Sequence, residues 1–265
     1  MGALRNLGTG ISIQPVEDWA EDIAKKKPQA QVIQDLLPNK RGEYIAIAGR
    51  TGIGKTNLAL YLAFCLSTGT PFYGLPCKRI RVAFLEFEGD ERNLIARYKK
   101  IKRGFPPTNK RLHFGIIPLS NPKEMLKDIW AQTEECRILI LDPIRYLVLG
   151  YYLKPKDVTS FIQSFREMLA IHRKAAIITL PIRKPNDKLL IHTGDVYSMK
   201  GATEYADSAT SVLLLEKTPY SRDNDNKVTL HFAKHRIALR ELKPLDLQFR
   251  INKCIFESEG ELATE

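Results

Sequence analysis

The run Gly49-Arg50-Thr51-Gly52-Ile53-Gly54-Lys55-Thr56 has the residue types and the spacing that hold phosphate. Glycines let the backbone curl so that successive N–H groups point inward at β- and γ-phosphate oxygens. Lys55 then supplies a point charge between those phosphates and Thr56 a hydroxyl for Mg2+, and the same stretch extended to Asn57 is the expected nucleotide-binding set. An apolar run, Tyr44 to Ala48, precedes the loop, and another, Leu58 to Leu66, follows it. The loop therefore reads as a strand-to-helix turn, where the positive end of the helix dipole adds to the anion site. ATP and Mg2+ are the expected cofactors; the alternative is a glycine-rich turn with no ligand.

Chemistry on ATP also needs carboxylates near that loop. Asp142 ends the apolar run Ile138-Leu139-Ile140-Leu141 and is the expected second metal residue with Thr56, against the alternative of a helix cap or a solvated loop residue. Another apolar run ends in Glu86-Phe87-Glu88-Gly89-Asp90. Alternation along a strand puts Glu86 and Glu88 on one face, with Glu88 nearer the end where ligands bind, so Glu88 is the expected base for the attacking water. Glu86 is its alternative, or a partner in a buried salt bridge.

These residues require a scaffold of alternating strands and helices. Tyr44–Ala48, Val82–Phe87, Ile138–Leu141 and Ala176–Leu180 read as strands of a parallel sheet. Met125, Leu126, Ile129 and Trp130 mark one covering helix, and the stripe from Val158 to His172 marks another. From Thr210 onward the signal is all strand, at Val212–Leu215, Val228–Phe232 and Leu247–Ile251, with Asp223 to Asn226 as a turn and antiparallel pairing expected. Val16, Trp19, Ala20 and Ile23 predict an amphipathic helix before the core, and Ile33, Leu36 and Leu37 a second short helical piece. The expected organisation is an N-terminal helical arm over 1–38, an α/β domain over 39–257 and a tail over 258–265.

The chain has 265 residues, of which 41 are Lys or Arg and 30 Asp or Glu, a formal charge of +11 that favours a polyanionic partner over an acidic one. A solvated basic surface is the plainer reading of the same charge. Cys65, Cys77, Cys136 and Cys254 form no C-x-x-C pair, so neither a zinc site nor a disulfide frame is indicated. With no long apolar stretch, a soluble, cytoplasmic protein is expected.

Beyond the phosphate loop, the chain resembles the RepA-type branch of RecA-like ATPases, the ring-forming replicative helicases related to DnaB-like proteins, over roughly residues 40 to 256. The resemblance rests on Ser67-Thr68-Gly69-Thr70-Pro71-Phe72-Tyr73-Gly74, on the glutamate strand Val82 to Asp90 and on Leu141-Asp142-Pro143-Ile144. It implies a RecA-like P-loop core with a central, mostly parallel sheet flanked by helices, C-terminal antiparallel strands and a short N-terminal helical arm. It also implies a catalytic role for Glu88, single-stranded DNA as partner and a homo-oligomeric ring, a hexamer. Ala233-Lys234-His235-Arg236 looks like the Lys-x-Arg element that reaches a neighbouring subunit's nucleotide, which would make Lys234 and Arg236 catalytic in trans; the alternative is an ordinary basic strand end.

Two departures from that pattern bear on function. Leu180-Pro181-Ile182-Arg183-Lys184 stands where family members often carry His-His-x-Arg-Lys. Lys200-Gly201-Ala202 resembles the family's Arg-Gly-Ser, but Thr210 occupies a position where aspartate is usual.

In such rings the loops after the third and fourth strands face the channel. Here Arg145, Lys154 and Lys156 in the first, and Arg183, Lys184 and Lys188 in the second, are the expected phosphate contacts, with Tyr151 and Tyr152 able to stack on bases. Their alternative is subunit packing and solvated charge. The resemblance implies an ATP-driven helicase in replication, acting with a replication partner protein; the competing reading is an ATP-dependent switch or loader on DNA that does not unwind.

Overall fold

A computed structural model describes residues 15–26, 30–106, 110–148, 155–182, 203–218, 226–238 and 240–258. The expected DNA contacts Lys154, Arg183, Lys184 and Lys188 lie outside these residues, as do Tyr151, Tyr152, Lys200-Gly201-Ala202 and the turn residues Asp223 to Asp225. Lys156 is described in its backbone alone.

Contacts divide the chain into Met1–Ala30 and Gln31–Glu265. The smaller unit contains helix α1 (Val16–Ala24), with Glu17 and Asp18 in its first turn and the apolar Val16 and Trp19 exposed.

The larger unit opens with a hairpin rather than the expected helical piece. Strands β1 (Gln31–Ile33) and β2 (Leu37–Pro38) pair antiparallel, and Ile33, Leu36 and Leu37 are wholly buried. Their spacing fits a helix turn, yet a tight turn carries the same three side chains into the core. There follow β3 (Tyr44–Gly49), α2 (Lys55–Thr68), β4 (Val82–Glu86), α3 (Glu91–Lys102), β5 (Leu112–Ile116), α4 (Pro122–Gln132) and β6 (Ile138–Asp142). A 3-10 turn (Ile144–Leu147), α5 (Pro155–Ile171), β7 (Ala175–Pro181), α6 (Thr203–Ser208), β8 (Ser211–Lys217), β9 (Lys227–His235), β10 (Leu245–Arg250) and β11 (Ile255–Ser258) complete the order.

Among the described residues one nine-stranded sheet runs β11-β10-β9-β8-β3-β7-β6-β4-β5. The strands from β8 to β5 are mutually parallel, and β9 to β11 are antiparallel. The antiparallel part thus begins one strand later than the sequence pattern suggests, because β8 lies beside β3 in parallel before β9 turns back along it.

The central strands β3, β4, β6 and β7 are buried along almost their whole length, as expected for strands covered on both faces. On one face Ile45, Ile47, Phe84, Ile140 and Ile177 pack with α2; on the other Ala46, Leu85, Leu139 and Ile178 pack with Trp130 of α4 and Phe165 of α5. Local signals set the helix starts. The Asp90 carboxylate accepts from Asn93 N at 2.9 Å to cap α3, and Asn121 caps α4 ahead of Pro122.

Candidate functional site

The phosphate loop joins β3 to α2 at the C-terminal edge of the parallel strands. Gly54 is the N-cap of α2 at φ 107, and no side chain caps the helix. The first amides of α2 therefore remain open toward an anion. A Cβ on Gly54 would come within 2.5 Å of Phe256 Cζ, so conformation and space both demand glycine there. Lys55 Nζ donates to Gly49 O at 2.9 Å and to Arg50 O at 2.8 Å, which holds the ammonium over the loop. Burial lowers its pKa to about 8; Asp142 opposes this shift and Arg145 adds to it. Thr56 is the second residue of α2 and half-buried, while Arg50 and Thr51 are exposed. Gly52 has φ 81, Ile53 N closes the turn on Arg50 O at 3.2 Å, and the buried Asn57 Oδ1 has no hydrogen-bond partner.

Alternation puts a row of polar residues on the α2 face at the ends of three adjacent strands. Glu86 lies opposite Asp142, and Leu141 opposite Ile178, which sets Asp142 beside Thr179. The Thr179 hydroxyl donates to Asp142 Oδ1. This bond leaves Asp142 fixed and directed at the loop side of the sheet. No group of three or more His, Cys, Asp or Glu residues poised for a metal occurs among the described residues. A site of Thr56 and Asp142 with phosphate and water suits magnesium, which uses few protein ligands.

The two glutamates differ sharply. Glu86 is 6% exposed in its side chain and Glu88 44%. Burial first, and then the charge of Asp142, push the Glu86 carboxyl up, while Arg97, 3.8 Å away, opposes the shift. Glu86 Oε2 is buried without a hydrogen-bond partner. Glu88 lies past the strand end, so the period of two that joins it to Glu86 stops applying there. Its carboxylate accepts from the Arg145 guanidinium and from the Tyr146 hydroxyl, the latter at 2.8 Å. Asp90, one of the acids at this edge, is occupied as a helix cap.

Lys234 and Arg236 sit elsewhere. Lys234 Nζ donates to the carbonyls of Ala206 and Asp207 at 2.6 and 2.7 Å, and Arg236 to Asp207 O at 2.5 Å, so within the chain both cap the end of α6. Arg236 N bonds Thr210 O, and Thr210 N bonds Tyr44 O. Tyr44 begins β3 and Gly49 ends it, a rise of roughly 16 Å. Both cations are thus remote from their own chain's phosphate loop. Thr210, where aspartate was the family expectation, donates to the buried Glu43 carboxylate at 2.5 Å.

Sequence reasoning missed Thr179, Arg97, Tyr146 and Phe256 as neighbours of the site. Only Thr179 had a local signal, a hydroxyl near the end of an otherwise apolar strand. Arg145, expected to contact nucleic acid, turns back onto Glu88. No helix among the described residues is long and apolar enough to cross a membrane.

The AAA domain family matches residues 12–187 of the chain. No curated protein matches it. Among solved structures, a KaiC-like protein from the hyperthermophilic archaeon Pyrococcus horikoshii OT3 is similar at a TM-score of 0.60 and 15% identity, covering 88% of this chain and 100% of that one. The ATPase domain of a DnaB-like helicase is similar at a TM-score of 0.64 and 15% identity, covering 91% of this chain and 95% of that one. The chain belongs to the AAA domain family, and its fold is that of the RecA-like ATPases, as its resemblance to the RepA-type, DnaB-like branch implied.

Proposed function

We propose that the protein hydrolyses ATP and works as a RecA-like ring ATPase on single-stranded DNA, a replicative helicase of the RepA type. The observation that carries this reading is the convergence of Lys55, Asp142 and Glu88 at the C-terminal edge of adjacent parallel strands. The loops after β6 and β7 leave the same edge. Lys55 and the open amides of α2 would hold the β- and γ-phosphates, and Glu88 would orient the attacking water. Magnesium, held by Thr56 and Asp142, would offset the phosphate charge. The rise of roughly 16 Å between Lys234 or Arg236 and their own loop supports action on a neighbour's nucleotide, hence a ring, with a hexamer as the proposed state. Arg145, Lys154, Lys156, Arg183, Lys184 and Lys188 are the proposed DNA contacts. A soluble cytoplasmic location and a replication partner belong to the same proposal.

The second reading, an ATP-dependent switch or loader that does not unwind, draws support from the Glu88 contacts with Arg145 and Tyr146. It draws more from Leu180 and Pro181, which continue β7 where sensing histidines would stand. ATP hydrolysis by the wild type and Glu88→Gln, with and without single-stranded DNA, together with unwinding of a forked duplex, separates the two. Turnover with no unwinding selects the switch; turnover undiminished in Glu88→Gln removes Glu88 from the mechanism.

A further inference from the structure

The edge of the sheet opposite the phosphate loop carries a cation at the entrance of each of five adjacent parallel strands. Lys40 and Arg41 precede β3, Arg173 and Lys174 precede β7, Arg137 precedes β6, Arg81 precedes β4 and Arg111 precedes β5. Backbone hydrogen bonds stitch these entrances together. Gly42 N bonds Lys174 O at 3.0 Å, Ala175 N bonds Arg137 O at 3.1 Å, Arg137 N bonds Arg81 O at 3.0 Å and Val82 N bonds Arg111 O at 2.8 Å. Strands lie about 4.8 Å apart, so the row from β3 to β5 extends over roughly 19 Å.

Some of this charge is spent inside the fold. Lys40 pairs with Glu43, Arg81 with Glu135, and Lys174 gives its protons to main-chain carbonyls. Arg41, Arg137 and Arg173 have no carboxylate within ion-pair distance among the described residues, and Arg41 and Arg173 are exposed. Burial, and then the like charges of Arg41 and Arg173, hold the Arg137 pKa down, as expected for three guanidiniums that share an edge without an acid. Their mutual repulsion is a standing cost, which an anion laid along the row would relieve.

We propose that this edge is a second polyanion-binding surface, which takes the phosphate backbone of a nucleic-acid strand along Arg41, Arg173 and Arg137. Guanidinium forks match phosphate oxygens bidentately, which a row of lysines would not. An extended row meets successive phosphates of one strand, and the +11 charge of the chain favours the encounter. An acidic protein segment would draw its affinity from desolvated aromatic or aliphatic anchors, whereas this row is built from charge. The proposal does not rest on the DNA loops of the opposite edge, and the two surfaces can be separated by mutation.

The test is fluorescence anisotropy of a labelled single-stranded oligonucleotide with the full chain over a salt series. Arg41→Gln with Arg173→Gln, both exposed, is expected to reduce the slope of log affinity against log salt by about 1.4, at ~0.7 per lost single-strand phosphate contact. Affinity for ATP is expected to stay within about twofold, because the row lies at the far edge, and Arg→Lys at both positions to keep the salt slope. An unchanged slope in the Gln pair overturns the proposal. So does row-dependent binding of poly-glutamate with no row-dependent binding of the oligonucleotide. If Lys154→Glu with Lys184→Glu removes all oligonucleotide binding while the Gln pair removes none, this inference fails and the loop reading stands; the reverse result supports the row and removes the loops. A wild-type chain that binds no oligonucleotide overturns both.

Discussion

Arg145 and Glu88 form an ion pair that joins the 3-10 turn after β6 to the end of β4, with the Arg145 guanidinium also lying over the Tyr146 ring at 4.9 Å. The proposed base is thus held by the first residues of a proposed DNA-binding loop. The two side chains are 51% and 44% exposed, so the contact is worth at most about 1 kcal/mol and is easily opened. We expect Arg145→Ala to raise DNA-independent ATP turnover by up to about fivefold, the rate equivalent of that energy, with ATP affinity unchanged. A fall in turnover, measured under single-turnover conditions, would mean that Arg145 assists the reaction instead of restraining Glu88.

Lys55 should make ATP binding depend on pH. Its pKa in the free protein is lowered to about 8, and contact with phosphate favours the protonated form. Affinity should stay level below pH 8 and fall above it, by up to about tenfold per pH unit. Titration with a fluorescent ATP analogue from pH 7 to 9.5 checks this; a flat profile across that range contradicts it.

Glu86 should weaken the fold at alkaline pH. Its raised pKa means that the folded chain binds the proton more tightly than the unfolded one. The stability from that preference is present at acid pH and is lost as pH rises through the folded value. Replacing Glu86 by Gln should therefore raise Tm at pH 8, by about 2–4 °C if the relief is about 1 kcal/mol, and leave it unchanged near pH 4. A lower Tm at pH 8 would show that Arg97 outweighs the burial.

Two glycines of the phosphate loop should respond differently to alanine. At Gly52 a Cβ meets nothing within 4 Å, so the cost is the left-handed backbone alone, about 1–2 kcal/mol. At Gly54 the same change also drives into the Phe256 ring. Urea unfolding should find Gly54→Ala the less stable of the two, with ATP binding abolished. Equal midpoints would indicate that Phe256 moves aside freely.

Lys174 is 1% exposed, and its ammonium donates to Thr133 O, Glu134 O and Cys136 O at 2.5, 3.2 and 2.6 Å. Lys174→Met would leave these carbonyls short of donors, two of them at buried residues. The expected loss is about 2–4 kcal/mol by urea unfolding at pH 7, with ATP affinity preserved in the folded fraction. A loss under 1 kcal/mol would mean that water replaces the ammonium.

How much of the fold and site is legible in the sequence follows from where each signal lies. The phosphate loop is written in eight consecutive residues between two apolar runs, and Asp142 closes a run that only a buried strand explains. The strands β5 and β11 escape a sequence reading. They are the two edges of the sheet, where half-burial weakens the apolar pattern. The hairpin at Ile33 to Leu37 reads as helix because three apolar positions cannot distinguish a turn of helix from a tight bend. The choice of Glu88 over Glu86 rests on an alternation that ends at Glu86, and their contrast in burial comes from chain neighbours far away in sequence. For the same reason the pairing of Arg145 with Glu88, 57 positions apart, leaves no local trace.

The contact of Phe256 with Gly54 has a consequence for synthesis. β11 is the outermost strand of the antiparallel extension, yet its Phe256 reaches α2, and the Phe256 carbonyl accepts a hydrogen bond from the Tyr73 hydroxyl, 183 positions earlier, at 2.9 Å. The phosphate loop leaves the ribosome early, but the ring that seats it emerges only after every other described strand has been made. A nascent chain therefore reaches its finished nucleotide pocket at the very end of translation, and an unfinished chain is kept from engaging ATP as the whole protein would.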